Sequence, residues 1–246
     1  MELTPQSYWQ ATWEGKQSWR GFAFFEDIAR FLPQQTGGRF MEIGCAPGRI
    51  LAEFSARLGY EAHGIDYAAD PAEIACFLRA EGVRVGAIER VDFLTWEPES
   101  RYDVVASFGF IEHFDDPAGI VKRHFDLVKP GGHVVLELPN FARGQKVLNW
   151  LFNRQTLRTC NTRCMSLAFM RGVARHNHAR LLEARYVGGG FQFFIREEKR
   201  SWFWERILWR TGWIWKRLNR RFQTGSNAWF SPYIIAVFQA PPAEQS

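Results

Sequence analysis

Gly44 and Gly48 flank Cys45-Ala46-Pro47 directly after the apolar run Phe40-Met41-Glu42-Ile43. A strand that turns sharply into a helix leaves several backbone N–H groups pointing outward. Glycines in such a turn let a ligand approach the backbone closely. Three acidic residues follow the same logic. Glu42 lies near the end of the first apolar run, Asp66 ends the second in Gly64-Ile65-Asp66-Tyr67, and Asp92 follows the third in Val91-Asp92-Phe93-Leu94. A carboxylate at the end of a second strand can accept both hydroxyls of a ribose. One after the third could accept from an exocyclic amine, and Tyr67 and Phe93 could sandwich a purine. Any one of these acids reads equally well as a helix N-cap. Together with the glycine turn they point to a cofactor that carries an adenosine. The spacing Gly44, Ala46, Gly48 is not the dinucleotide GxGxxG, whose last glycine comes one residue later.

These residues need a scaffold of alternating strands and helices, and the pattern supplies it. Strands are expected at 39–43, 61–65, 83–88, 102–108 and 133–138, and helices at 48–58, 71–80 and 117–128. Pro47 suits a first helical position, and Lys129-Pro130-Gly131-Gly132 reads as a turn. Repeated βα units of this length imply a parallel sheet covered on both faces, with ligands at the carboxyl ends of its strands. Ahead of it, residues 1–38 are aromatic, with Tyr8, Trp9, Trp13, Trp19, Phe22, Phe24 and Phe25, and a helix is expected from Arg20 to Leu32, where Pro33 stops it. Residues 141–180 read as mainly helical, with Val147, Leu148, Leu151 and Phe152 sharing an apolar face. Strands at 181–187 and 233–238 close the pattern.

At 246 residues and 46% hydrophobic content, the chain can bury a full core as a single domain over 1–246. It divides into an N-terminal helical cover (1–38), a cofactor-binding core (39–140) and a substrate-side half (141–240). No apolar run reaches the roughly 18 residues of a spanning helix, and the N-terminus lacks the features of an export signal. Cys45, Cys76, Cys160 and Cys164 are scattered, as reduced thiols of a cytoplasmic protein would be. The net charge of +5 is uneven: nine Lys/Arg against three Glu between Arg196 and Arg221 give that stretch +6 and the remainder about −1.

The ordered set Glu42-Ile43-Gly44-Cys45-Ala46-Pro47-Gly48, Gly64-Ile65-Asp66, Asp92-Phe93, Tyr102-Asp103-Val104-Val105, Ile111-Glu112-His113-Phe114 and Leu127-Val128-Lys129-Pro130-Gly131-Gly132 resembles the class I S-adenosylmethionine-dependent methyltransferases over about residues 37–140. The resemblance implies a Rossmann-like α/β fold, a seven-stranded mostly parallel sheet flanked by helices with an antiparallel last strand, and S-adenosyl-L-methionine as cofactor with S-adenosyl-L-homocysteine as product. It assigns the methionine moiety to Gly44 and Gly48, with Glu42 and Cys45 in the same loop, the ribose to Asp66 beside Tyr67, and the adenine to Asp92 beside Phe93. Phe108 to His113 should edge the methyl donor. The family usually has glycine where Ala46 stands, so the turn is crowded by one methyl.

Methyl transfer from a sulfonium needs alignment in a dry site, and a base only if the acceptor holds a proton. His113 is the expected base, with Glu112 beside it; the alternative is that His113 merely caps the next helix. The Glu-His pair also resembles the ubiquinone-biosynthesis O-methyltransferases, whose acids near this position bind a divalent metal. Their further upstream acid is matched here by Gly109, and no metal is expected. The Asn/Asp-Pro-Pro-aromatic motif of DNA amino-methyltransferases is missing after strand four, which disfavours DNA. The expected reaction is methylation of a small lipophilic or aromatic acceptor, at oxygen in preference to nitrogen or sulfur. An RNA or protein methyltransferase and a non-catalytic cofactor-binding module are the alternatives. The insertion 196–222 holds five tryptophans, at 202, 204, 209, 213 and 215, among its cations. A lid or homodimer element is the first reading of 201–222, peripheral membrane contact the second and nucleic acid the third.

Overall fold

The structure, a computed structural model, describes residues 21–98, 100–152, 154–188 and 225–243. Seven strands form one sheet: β1 (Arg39–Ile43), β2 (Glu61–Asp66), β3 (Val85–Arg90), β4 (Tyr102–Phe108), β5 (Val128–Pro139), β6 (Arg180–Val187) and β7 (Tyr233–Gln239). Their order is β3-β2-β1-β4-β5-β7-β6. The first five pair in parallel, and β7 runs antiparallel between β5 and β6. This is the mostly parallel sheet that the sequence resemblance implies. The helices are α1 (Phe25–Ala29), α2 (Arg49–Leu58), α3 (Pro71–Ala80), α4 (Pro117–Leu127), α5 (Arg143–Phe152), α6 (Arg154–Thr159) and α7 (Leu167–His176).

Successive strand residues point to opposite faces, and the core divides accordingly. Met41, Ile43, Val105, Val134, Leu136, Leu138, Ile234, Ala236 and Phe238 belong to one apolar cluster, shared with α4 and α7. Phe40, Val104, Ala106, Val135, Ile235 and Val237 belong to the other, shared with α1, α2 and α3. The second cluster is built around Phe54 of α2, whose ring lies 4.7 Å from Phe25, 5.5 Å from Phe40, 5.8 Å from Phe108 and 6.0 Å from Phe22. Leu51, Phe54 and Leu58, spaced to share one face of α2, are all buried.

Three local expectations are corrected. The helix expected over 20–32 is only Phe25–Ala29, because Phe24 and Phe25 go sideways into Tyr233 and Phe54 instead of continuing a stripe. Pro47 is not the first helical residue. Its peptide bond with Ala46 is cis, and α2 begins at Arg49 after Gly48 in the left-handed region (φ 94°). Lys129–Gly132 lies within β5 as an irregularity: the β4 register jumps from Tyr102↔Val128 to Val104↔His133. There Lys129 holds Asp103 at 2.9 Å. Tyr8, Trp9, Trp13, Trp19 and the basic stretch 196–222 lie outside the described residues.

Candidate active site

The glycine turn is held from beneath by the second strand. The N–H groups of Gly44 and Cys45 both donate to the Ile65 carbonyl, at 2.9 and 3.1 Å. Gly44 has φ 74°, and a Cβ there would come within 3.0 Å of the Phe110 ring; one on Gly48 would meet Ile74 at 3.1 Å. Both positions therefore require glycine on conformation as well as space. Cys45 is buried, its Sγ so close to Gly64 that a Cβ on that glycine would lie 2.6 Å away. Burial pushes its thiol pKa well up, so the residue offers a ligand its backbone and not a thiolate. Ala46 is not among the residues with positive φ, and the extra methyl is accommodated.

Asp66 ties this turn to the next loop. One carboxylate oxygen accepts from Ala46 N at 3.2 Å, and the other from Ala68 N and Ala69 N at 2.8 and 3.0 Å. A carboxylate has about four acceptor positions, so roughly one remains for a hydroxyl. Asp92 is exposed and accepts from Leu94 N at 2.9 Å, a local cap. Tyr67 is 52% exposed, whereas Phe93 is 4% exposed, with the Arg123 guanidinium over its ring and Phe110 at its edge. Phe93 is thus a core side chain, and the expected Tyr67–Phe93 sandwich is not formed, because the apolar ring gains more from burial than from a solvent-facing ledge.

Three carboxyl side chains are buried along the carboxyl edge of the sheet: Glu42, Glu112 and Glu137. Glu42 on β1 and Glu137 on β5 follow the alternation that faces the second cluster, and β4 lies between them with Phe108 opposite Glu137. Phe108 is itself held by Phe22 at 5.1 Å. Beyond β4, Glu112 and His113 form a single 3₁₀ turn, Ile111–His113. Gly109 donates to the Glu137 carbonyl at 2.8 Å. A Cβ on Gly109 would lie 3.6 Å from Oε1 of Glu112. Oε2 of Glu42 and Oε2 of Glu112 have no hydrogen-bond partner among the described residues.

Burial sets the chemistry here, since it disfavours every charged form. It raises Glu112 to about 8 and lowers His113 to about 4. Glu137 is raised by burial and then by the neighbouring Glu112, and Glu42 by burial above all. Glu112 also adds to the burial that pushes Cys160 up to about 12. Nε2 of His113 stands 3.7 Å from Oε1 of Glu112. Among the described residues, no group of three His, Cys, Asp or Glu is placed to hold a metal ion.

The structure thus brings Glu112, His113 and Phe108 together at one edge and the Glu42–Gly48 turn with Asp66 beside it. It leaves Asp92 exposed and Phe93 in the core. Glu137 was missed by the sequence reading, although a charge inside an apolar strand was visible there. Phe110, inside the stretch expected to edge the methyl donor, lies against Gly44, and His124 was missed as well. His124 is buried and contacts Ser107 Oγ at 3.0 Å and the Ile120 carbonyl at 2.8 Å. With burial lowering it to about 4, the imidazole is neutral, so Nδ1–H donates to Ile120 and Nε2 accepts from Ser107.

Comparison with known proteins gives the family. The model of a methyltransferase domain family matches residues 17–206, and the chain belongs to that family, a class I S-adenosylmethionine-dependent methyltransferase. A ubiquinone biosynthesis O-methyltransferase of Serratia proteamaculans is 40% identical over 116 residues, 45% of this chain and 48% of that protein. One from Acinetobacter baylyi is 41% identical over 108 residues, 42% of this chain and 44% of that protein. The chain thus spans less than half the length of these relatives. Among solved structures, the phosphoethanolamine N-methyltransferase 2 of Haemonchus contortus in complex with S-adenosyl-L-methionine superimposes with a TM-score of 0.62 at 18% identity, over 90% of this chain and 53% of that one. The cyclase SpnF gives 0.62 at 16% identity, over 94% and 86%. Likenesses at that identity speak to the fold alone.

Proposed function

We propose that this protein transfers a methyl group from S-adenosyl-L-methionine to a hydroxyl of a small apolar or aromatic acceptor, with Glu112 taking the acceptor's proton. The observation that carries the proposal is the buried, uncommitted Oε2 of Glu112 at the carboxyl edge of the sheet. A carboxyl whose pKa lies near 8 ionises as pH rises toward 8 and is then a strong enough base to take a hydroxyl proton, whereas an imidazole near 4 is a poor acceptor. Glu112 therefore takes the role that the sequence suggested for His113. The relatives named as O-methyltransferases support oxygen as the receiving atom.

The cofactor would supply an electrophilic methyl group on a sulfonium. The residues present fit it: backbone at Gly44, Cys45 and Gly48 can be approached closely, Glu42 keeps an uncommitted carboxyl oxygen under the turn, and Asp66 retains acceptor capacity. Tyr67, Asp92 and Phe108 would complete the pocket wall. The chain's own contribution is to exclude water through Phe22, Phe108 and Phe110, to orient the acceptor, and to hold its proton on Glu112 beside Glu137.

Two measurements test this. S-adenosylhomocysteine at a hundred times its Kd should stabilise the fold by about 2.7 kcal/mol, read as a rise in Tm, and Asp66→Asn should shrink that rise. An unmoved Tm would remove the cofactor. Labelled methyl donor offered with catechols and phenols should then give labelled ethers; label appearing only on RNA or protein would instead favour an acceptor bound through the basic half. If the Tm moves and no acceptor is labelled, the protein is a binding module.

A further inference from the structure

Helix α5 (Arg143–Phe152) carries buried amides and exposed apolar side chains on the same element. Its amides point inward: Gln145 is fully buried and Asn149 is 3% exposed. Two of its apolar side chains point outward, Val147 at 57% and Trp150 at 53% exposed. A surface helix ordinarily buries the second kind and exposes the first.

Gln145 ties the helix to the loop that enters β7, and Asn149 bonds back within the helix. Gln145 donates to the Phe230 carbonyl at 2.8 Å, and Asn149 donates to the Gln145 carbonyl at 2.9 Å. Asn140, at the end of β5, donates to the carbonyls of Ala228 and Ser231 at 3.2 and 2.8 Å. Gly144 lies so close to the same loop that a Cβ there would be 2.6 Å from the Trp229 carbonyl oxygen. Trp229, 54% exposed, is thereby fixed beside the outer face of α5. Arg143 stands over the Trp229 ring at 5.8 Å, and Arg154 over the Trp150 ring at 4.6 Å.

The charge around this face is of one sign. From Leu138 to Leu182 the sequence contains no Asp or Glu and eight Lys/Arg. All eight are exposed, and none is in an ion pair among the described residues.

We propose that the outer face of α5, with Val147, Trp150, Trp229, Arg143, Lys146 and Arg154, is a docking surface for an anionic lipid bilayer. Exposed indole rings gain most at a headgroup boundary, where one edge is apolar and the other wet. Basic residues around them are attracted to anionic headgroups. A nucleic acid would use the arginines and could stack on the tryptophans, but it offers nothing to Val147, which is exposed as fully as the rings. No described helix is long and apolar enough to cross a membrane, so the contact is peripheral.

The test is co-flotation of the whole protein with vesicles of phosphatidylcholine alone and of phosphatidylcholine with phosphatidylglycerol. Binding should need the anionic lipid and fall as salt is raised. Each charge removed, as in Arg143→Gln or Arg154→Gln, should weaken it roughly fivefold. The pair Trp150→Ser with Trp229→Ser should lower it by about tenfold or more while leaving the Tm rise with S-adenosylhomocysteine intact, which separates a lost surface from a lost fold. Equal flotation with neutral vesicles would overturn the proposal. So would binding that these variants leave unchanged, which would place the contact in 196–222, and so would displacement from vesicles by single-stranded RNA at equal phosphate. Loss of cofactor binding in the wild type would leave this inference standing and remove only the proposed reaction.

Discussion

At 3.7 Å, Nε2 of His113 and Oε1 of Glu112 would be an ion pair if both were charged, yet burial keeps both predominantly neutral near pH 7. The pair is therefore a weak polar contact whose proton inventory changes near pH 8. Glu112 carries a pKa raised above that of an unfolded chain, so the native state holds a proton that the unfolded state releases. Its favourable contribution is complete below the ordinary carboxylate pKa and is lost as pH rises toward about 8. At about 1.4 kcal/mol per pK unit, the loss amounts to a few kcal/mol at most. Glu112→Gln should flatten the fall in urea stability between about pH 4.5 and 8 and should remove the limb on which methyl transfer rises through about pH 8. A variant that keeps both the fall and the limb would show that the proton sits elsewhere, with Glu137 the next group to change.

Among the elements, β5 and the loop into β7 are joined by one side chain. Asn140 donates through Nδ2 to two carbonyls of that loop and accepts at Oδ1 from Ala142 N. Its backbone N–H also donates to Pro232 at 2.6 Å. Asn140→Ala leaves the buried Ser231 carbonyl without this donor, at about 1–3 kcal/mol, and the part-buried Ala228 carbonyl to solvent. Amide exchange at Ser231 and along α5 should quicken while exchange in β1 and β4 stays slow; a uniform change through the sheet would mean that the loop is not a separate unit. The glycine turn is the contrasting element, since its shape depends on the Ile65 carbonyl and Asp66, and no side chain of the turn itself holds it.

For the whole molecule, the sheet's two faces have different covers. The face toward α1, α2 and α3 rests on rings meeting at Phe54, and the same rings reach Phe108 at the site. Phe54→Ala should cost about 3–5 kcal/mol, seen as a lower urea midpoint with an unchanged m-value, and should weaken S-adenosylhomocysteine binding because Phe108 and Phe22 lose their backing. A destabilised variant with full cofactor affinity would show that core and site are uncoupled.

The strand and helix order, the class I fold and the positions of Glu42, Gly44, Gly48 and Asp66 could be read from the chain alone. Periodicity and glycine spacing are local quantities, and β1 to α4 are regular enough to express them. Three things waited for the tertiary structure. The fate of Phe93 depended on which neighbours would bury it, and spacing cannot say whether a ring beside an acid faces ligand or core. The protonation of Glu112, His113 and Glu137 depended on desolvation, which exists only once β4, β5 and the turn between them enclose the same space. The exposure of Val147 and Trp150 on α5 depended on the loop before β7, more than 80 residues away, whose carbonyls claim Gln145 and Asn140 and so fix how the helix sits. Sequence pattern determines what each segment prefers; tertiary contact decides which side of it meets water, and with that which groups keep their protons.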